Sequence, residues 1–429
     1  EKDFVKELNQ LLFEFLWGGK DKIKRTAMIN EIEYGGMKMP DVESLIKTQR
    51  IMCIKKYLEN YESSWKKVLN YYLKKVGGPF LFHCSFEYSS LPLALPTFYR
   101  YCVDVWSSLR QEEPTTPEKI AREIIWNNRF IRLDGKSIYN QQLLEKGLVT
   151  VGDLFDERGT LRHGKQLFAN NCSPLENYLM FCLFNAIPLD WRNKIKEFGI
   201  QNRELVILNQ NSIYLIIGGE TIKLPNFQSK SIYKGLVSEK ATTPTAVTRY
   251  STIYNNEDFQ LEWKKIFVLP FKTTLHTKLR EFQFKILNRI LFTNSLLFKI
   301  GKSDSPLCYF CKKENETLEH FFFSCLIVRE FWNEVYLTLK DLKITLCPLN
   351  IKDVFFGIYE KREHILLINH FILYGKFFIH YCKISKTPLS QQLFIKRIKL
   401  SYDTEYMIAK EKNNLEYHNK KWDAFFQII

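Results

Sequence analysis

The strongest constraint on this chain is a set of four side chains: Cys308 and Cys311, then His320 and Cys325, spaced C-x2-C-x8-H-x4-C. Thiolate and imidazole are the ligands a tetrahedral zinc ion takes, and a Cys-x2-Cys turn can aim two sulfurs at one point. Pro306 sets up that turn, and Asn315 or Thr317 can cap a helix carrying His320. His320 and Cys325 are five residues apart, about 140° around an ideal helix. The turn between them is therefore expected to be distorted or 3₁₀-like. All four positions are protein groups, so no place is left for a reactive water, and one structural Zn2+ per chain is expected. A chance grouping of buried thiols around Phe321-Phe322-Phe323 is the plainer explanation, but four ligand types at workable spacing weigh against it. The long loop and the aromatic triplet point to a zinc site that braces a helical domain rather than a free-standing knuckle.

The remaining members of the ten cysteines are scattered singly, with neither a disulfide framework nor a signal-peptide pattern. A reducing intracellular compartment, nuclear or cytoplasmic, is expected. A length of 429 residues suggests two or three domains, and 45% hydrophobic with 15% aromatic residues is ample for packed cores. Lysine and arginine exceed aspartate and glutamate by 62 − 47 = +15, which favours a polyanionic partner such as RNA or DNA. The most apolar helix-like run, residues 364–382, is interrupted by Asn369, His370, Lys376 and His380, so no membrane association is expected.

The patterning is mainly α. A first amphipathic helix (Phe4, Leu8, Leu11, Leu12, Phe15) stops at Gly18-Gly19, and its start directly at Glu1 suggests a piece of a longer polypeptide. Gly35, Gly36 and Pro40 mark a second stop, after which Asp41 can cap a helix from Val42 to about Leu58. Turn-rich stretches near 111–117 and 238–248 suggest three regions: a helical one at 1–110, a mixed one at 118–236 and a zinc-binding helical one at 250–429. Within the second, residues 205–224 read as a small antiparallel β meander.

Several of these segments resemble one family. Residues 305–311 (SPLCYFC), 316–325 (ETLEHFFFSC) and Phe331-Trp332 resemble the zinc-binding segment that follows the polymerase of LINE-type retrotransposons, elements without long terminal repeats. Residues 274–294 look like the helix preceding that segment. Phe15-Leu16-Trp17-Gly18-Gly19 and Gly35-Gly36-Met37-Lys38-Met39-Pro40-Asp41 look like the stretch just after the polymerase thumb. Residues 147–154 and 186–191 carry further family marks, so the resemblance spans nearly the whole chain. It implies a region that grips template RNA and target DNA during target-primed reverse transcription, beside an upstream polymerase domain. The chain has no Asp-Asp pair to hold polymerase metals, so neither polymerisation nor cleavage is expected of it. Some related elements place a restriction-like endonuclease after such a zinc site. Here the only Pro-Asp is Pro40-Asp41, upstream, and Asp353 with Glu360-Lys361 is poorly spaced for that motif.

Three basic stretches are candidate phosphate contacts. Lys278, Lys285 and Arg289 fall along one helical line, with Phe282 beside it. Between Glu363 and Asp403 there is no acidic residue, yet Lys376, Lys383, Lys386, Lys396, Arg397 and Lys399 lie there, and His364, His370 and His380 can add partial charge. Pro388 splits this stretch into two helices, so its cations can line two walls of a groove, and Tyr374 or Tyr381 can stack on unpaired bases. Phe377 and Phe378 read as core. Lys20, Lys22, Lys24 and Arg25 form a shorter basic run in a loop. The rival reading is a protein–protein interaction module whose charge is incidental.

Overall fold

A computed structural model of the chain describes residues 2–110, 112–168, 172–198, 208–254 and 261–426. Helix accounts for 62% and strand for 4%, so the mainly α expectation holds. The chain forms two compact units: Glu1–Asn9 with Pro40–Lys240, and Gln10–Met39 with Ala241–Ile429. Local signals fall where the sequence put them. The first helix, Lys2–Trp17, ends at Gly18 and Gly19, both with positive φ. Asp41 caps Val42–Leu58, its carboxylate accepting from the Ser44 amide at 3.0 Å.

In the first unit, helices Val42–Leu58 and Thr97–Ser108 bury Ile51, Ile54, Cys102, Val103 and Trp106 in one core. That core runs on to Leu236 without a break at 111–117. Polar anchors hold its loops. The Trp126 indole donates to the Leu148 carbonyl at 2.6 Å, and the Asp153 carboxylate accepts from the amides of Val149 and Thr150.

The β element is a hairpin. Tyr214–Ile217 pairs antiparallel with Glu220–Lys223, in the register Tyr214 to Lys223 and Ile217 to Glu220. Gly218 and Gly219 both have positive φ, as a two-residue hairpin turn requires. Of the expected meander, residues 205–207 lie outside the described residues. A second short hairpin pairs Arg132–Leu133 with Lys136–Ser137 across Asp134-Gly135. Asp-Gly is the sequence signature of such a two-residue turn, and both residues have positive φ.

The second unit is built on helix Ile365–Ser385, buried continuously from Leu367 to Lys376. It is the single helix among the described residues long and apolar enough to cross a membrane, and 72% of that window is buried within the protein. Its polar residues have partners inside: the Asn369 amide bonds both backbone groups of Ile358. A Cβ at Gly375 would meet the Trp332 ring at 2.7 Å, so helix Leu326–Asp341 approaches this closely because position 375 is glycine.

Candidate metal centre

The two cysteines of the turn are set by backbone. The Cys308 amide donates to the Glu314 carbonyl at 2.7 Å, and Lys312, at φ +55°, donates its amide to the Cys308 carbonyl at 3.0 Å. A β-bridge between Leu307 and Asn315 closes the loop, which leaves capping of the next helix to Thr317, whose hydroxyl accepts from the His320 amide at 3.1 Å. The segment His320–Ser324 is π-helical: of the two expected alternatives the turn is distorted, by widening, and not 3₁₀-like. The Cys325 amide closes an i→i+5 bond to the His320 carbonyl at 2.9 Å. Widening the turn brings residues five apart onto one side; tightening it would not. The Trp332 indole donates to the Phe322 carbonyl at 2.7 Å inside this turn, and Phe321 and Phe322 are fully packed.

The four ligand atoms lie within 4.8 Å of one another. Cys308 and Cys325 sulfurs are 3.9 Å apart, and Cys311 Sγ is 3.3 Å from His320 Nε2. A zinc–sulfur bond of about 2.3 Å and a zinc–nitrogen bond of about 2.0 Å give tetrahedral edges of roughly 3.8 and 3.5 Å, so one ion fits. Cys308, His320 and Cys325 are buried and Cys311 is partly exposed, and with four protein ligands the tetrahedron is complete. Cys325 also stands at the cap of helix Leu326–Asp341. Its thiol is pulled below the ordinary range, first by the hydrogen bond from Cys308 and further by the amides of Val328 and Ile327. The same bond, with burial, pushes Cys308 up. A thiolate at a helix N-terminus is ready to bind metal.

Beyond the ligands, a fully buried carboxylate ties the loop down. Glu316 accepts from the amides of Asn294 at 2.8 Å and Tyr309 at 2.9 Å, and pairs with the Lys383 ammonium. The Glu314 carboxylate lies 3.1 Å from His320 Nδ1, an ion-pair distance without hydrogen-bond alignment. Nothing in the sequence separates the buried Glu316 from the solvated acids around it.

Fold and ligand set together define a structural zinc domain within a helical protein. Residues 227–332 match the family model described as zinc-binding in reverse transcriptase, and that match encloses all four ligands. The stretch is a zinc-binding domain of reverse transcriptase, with one structural zinc. No curated protein matches the chain.

The basic candidates divide on inspection. Lys376 is buried, donating to Gln283 Oε1 at 2.6 Å, and burial lowers its ammonium to about 7. Lys383 is committed to Glu316. Both depart from the expected groove wall, because the helix that carries them is the core helix of its unit. Lys386, Lys396 and Lys399 are exposed, while the Arg397 guanidinium lies 3.9 Å over the Tyr381 ring. Burial lowers His380 to about 4 and His370 well below its ordinary value, so neither adds charge at neutral pH. Tyr374, Phe377 and Phe378 pack inward, Phe377 edge-on to Phe282. On helix Thr277–Leu287, Lys278 is exposed, but Lys285 pairs with Glu281 at 2.6 Å. Just beyond its end, Arg289 grips Glu319 through both terminal nitrogens at 2.5 and 3.1 Å. In the N-terminal loop, Lys20 and Lys24 are exposed and Arg25 pairs with Asp21 at 2.7 Å. Lys22 sits between two rings, 5.8 Å from Trp17 and 5.2 Å from Phe292.

Proposed function

We propose that this chain is a non-catalytic, nucleic-acid-binding and scaffolding region of a LINE-type retrotransposon reverse transcriptase. In this reading it handles template RNA and target DNA beside an upstream polymerase domain, in the nucleus or cytoplasm. The observation that carries the reading is the closed Cys3His site inside a zinc-binding domain of reverse transcriptase. A site saturated by protein ligands braces structure and does no chemistry of its own. The net charge of +15 and the exposed Lys386, Lys396 and Lys399 supply phosphate partners. The LINE assignment rests on the resemblance of the segments around Gly18-Gly19 and Gly35-Gly36.

Affinity for a primer–template duplex should fall linearly on a log–log salt plot, each phosphate contact adding about 0.9 to the slope. Changing Lys396, Arg397 and Lys399 to Gln should flatten that slope by about two units, with no loss of fold. The same protein should neither extend the primer nor nick DNA with Mg2+. A salt-independent affinity, or turnover that survives repurification, would overturn the reading.

One observation favours a protein partner instead. Leu175, Tyr178 and Phe181 stand on one side of helix Pro174–Ala186, each more than half exposed. Under that alternative, binding would be insensitive to the lysine changes and lost on Tyr178→Asp.

A further inference from the structure

The acid-free stretch of the second unit has a counterpart in the first. Between Glu62 and Glu87 there is no carboxylate, and Lys66, Lys67, Lys74 and Lys75 lie there. The outcome in space is different. Helix Ser64–Leu73 buries Lys66, Leu69 and Leu73 on one side. On the opposite side Lys67 and Tyr71 follow at i and i+4, hence on one face, with Val68 along its edge, and Lys74 and Lys75 come directly after in the 3₁₀ turn Lys74–Val76. All five are exposed, and Tyr71 shows 77% of its surface.

An open cleft of about 570 Å³ adjoins this face, lined by Tyr57, Glu59, Tyr61, Lys66, Lys67 and Asn70. The cleft has a built interior. The Lys66 ammonium donates to the Glu59 carbonyl at 2.5 Å and stands 3.5 Å from the centre of the Tyr61 ring, fixing that ring at the rim. The Tyr57 hydroxyl donates to the Asn70 amide oxygen at 3.0 Å. Two carboxylates line the cleft: Glu59, which pairs with Lys55 at 3.8 Å, and Glu62, which lies 3.5 Å from Lys67 with both of those side chains largely in solvent.

We propose that this face and cleft form a contact surface for single-stranded nucleic acid, with Lys67, Lys74 and Lys75 on successive phosphates and Tyr71 stacked on an unpaired base. The proposal rests on the nucleic-acid reading above and adds a site in the other unit, outside the zinc-binding match. Charge argues for the occupant: three exposed ammonium groups on the helix and the turn that follows it fit a phosphodiester run. The ring argues for the strandedness: Tyr71 meets the Tyr72 ring nearly at right angles, centroids 5.5 Å apart, and is otherwise in solvent, where it can stack on a base that is not already paired. The open cleft gives the neighbouring nucleotide a place to lie beside the stripe.

The test uses the full chain and two labelled probes, an oligouridylate strand and an RNA–DNA duplex. Lys67, Lys74 and Lys75 changed together to Gln should flatten the salt slope for the single strand by about two units. Tyr71→Ala should weaken single-strand binding roughly 5- to 100-fold and leave the duplex unchanged, while Tyr71→Phe should restore it. These side chains are exposed, so matched thermal melts should show all variants folded. If the single strand binds the triple variant with unaltered slope, while the Lys396, Arg397 and Lys399 change still weakens binding, this surface is wrong and the broader reading stands. If the unaltered chain binds neither probe, both fall together.

Discussion

In the zinc loop, four residues chosen by spacing bring their ligand atoms within 4.8 Å of one another. In the stretch between Glu363 and Asp403, residues chosen by charge disperse: Lys376 and Lys383 turn inward, and Lys396 and Lys399 face solvent. The difference lies in what each signal constrains. Ligand spacing specifies a relation between side chains, and only a few backbone paths satisfy it. A run without acids specifies composition alone and says nothing of which way each lysine points. The helix Ile365–Ser385 is so apolar that it becomes the centre of its unit, and its cations go with it. Helix Ser64–Leu73 has a polar side, and its lysines outside the core stay in water.

The largest effect expected from breaking this contrast is at the ligands. Cys311→Ser or His320→Ala should lose the zinc, since binding energy at a structural site is folding energy. The π turn and the packing of Phe321 and Phe322 should open with it, seen as amide exchange across helix Leu326–Asp341. Metal analysis showing full zinc occupancy in either variant would refute the ligand assignment.

Much of the centre was legible because it is local. Cys308, Cys311, His320 and Cys325 lie within one short segment, and Thr317 capping follows from ordinary helix rules. The π turn was not legible as such. The five-residue gap announced a distortion, but whether the turn widens or tightens depends on Trp332 reaching the Phe322 carbonyl, a contact allowed by Gly375 on a distant helix. Glu316 was invisible for a similar reason. Its partners Asn294 and Lys383 lie 22 and 67 residues away. Among fold features, the caps at Asp41 and the stop at Gly18-Gly19 were readable, while the inward face of Ile365–Ser385 required the whole unit.

A second, smaller effect sharpens the comparison at the point where the two regions meet. Lys383 belongs to the acid-free stretch, yet it serves the zinc loop through Glu316. Lys383→Met leaves a buried carboxylate unpaired and should cost about 3–5 kcal/mol, as breaking a buried pair does. Changing both partners, Glu316→Gln with Lys383→Met, should recover part of that loss. Chemical denaturation reads the stability, and chelator challenge reads how fast zinc leaves. If Lys383→Met left stability intact and instead lowered the salt slope for nucleic acid, Lys383 would be a phosphate contact after all.

The smallest effect concerns Lys376, where charge has been carried into the core. Burial lowers its ammonium from 10.5 to about 7. A lysine with a depressed folded value is protonated more readily in the unfolded chain, so the unfolded state holds the extra proton between pH 7 and about 10.5. Stability should therefore rise with pH across that window, and the cost of charging Lys376 should be fully present below it. Lys376→Met removes the titration, worth on the order of 5 kcal/mol across the window, while leaving Gln283 Oε1 without its donor, an opposing cost on the order of 1–3 kcal/mol. The informative quantity is the difference between the two proteins as a function of pH. The methionine variant should compare best near pH 6 and lose ground steadily towards pH 10, measured by denaturant midpoints at constant ionic strength. A pH-independent difference would mean that Lys376 keeps an ordinary ammonium, its charge satisfied by Gln283 and the Phe355 carbonyl alone.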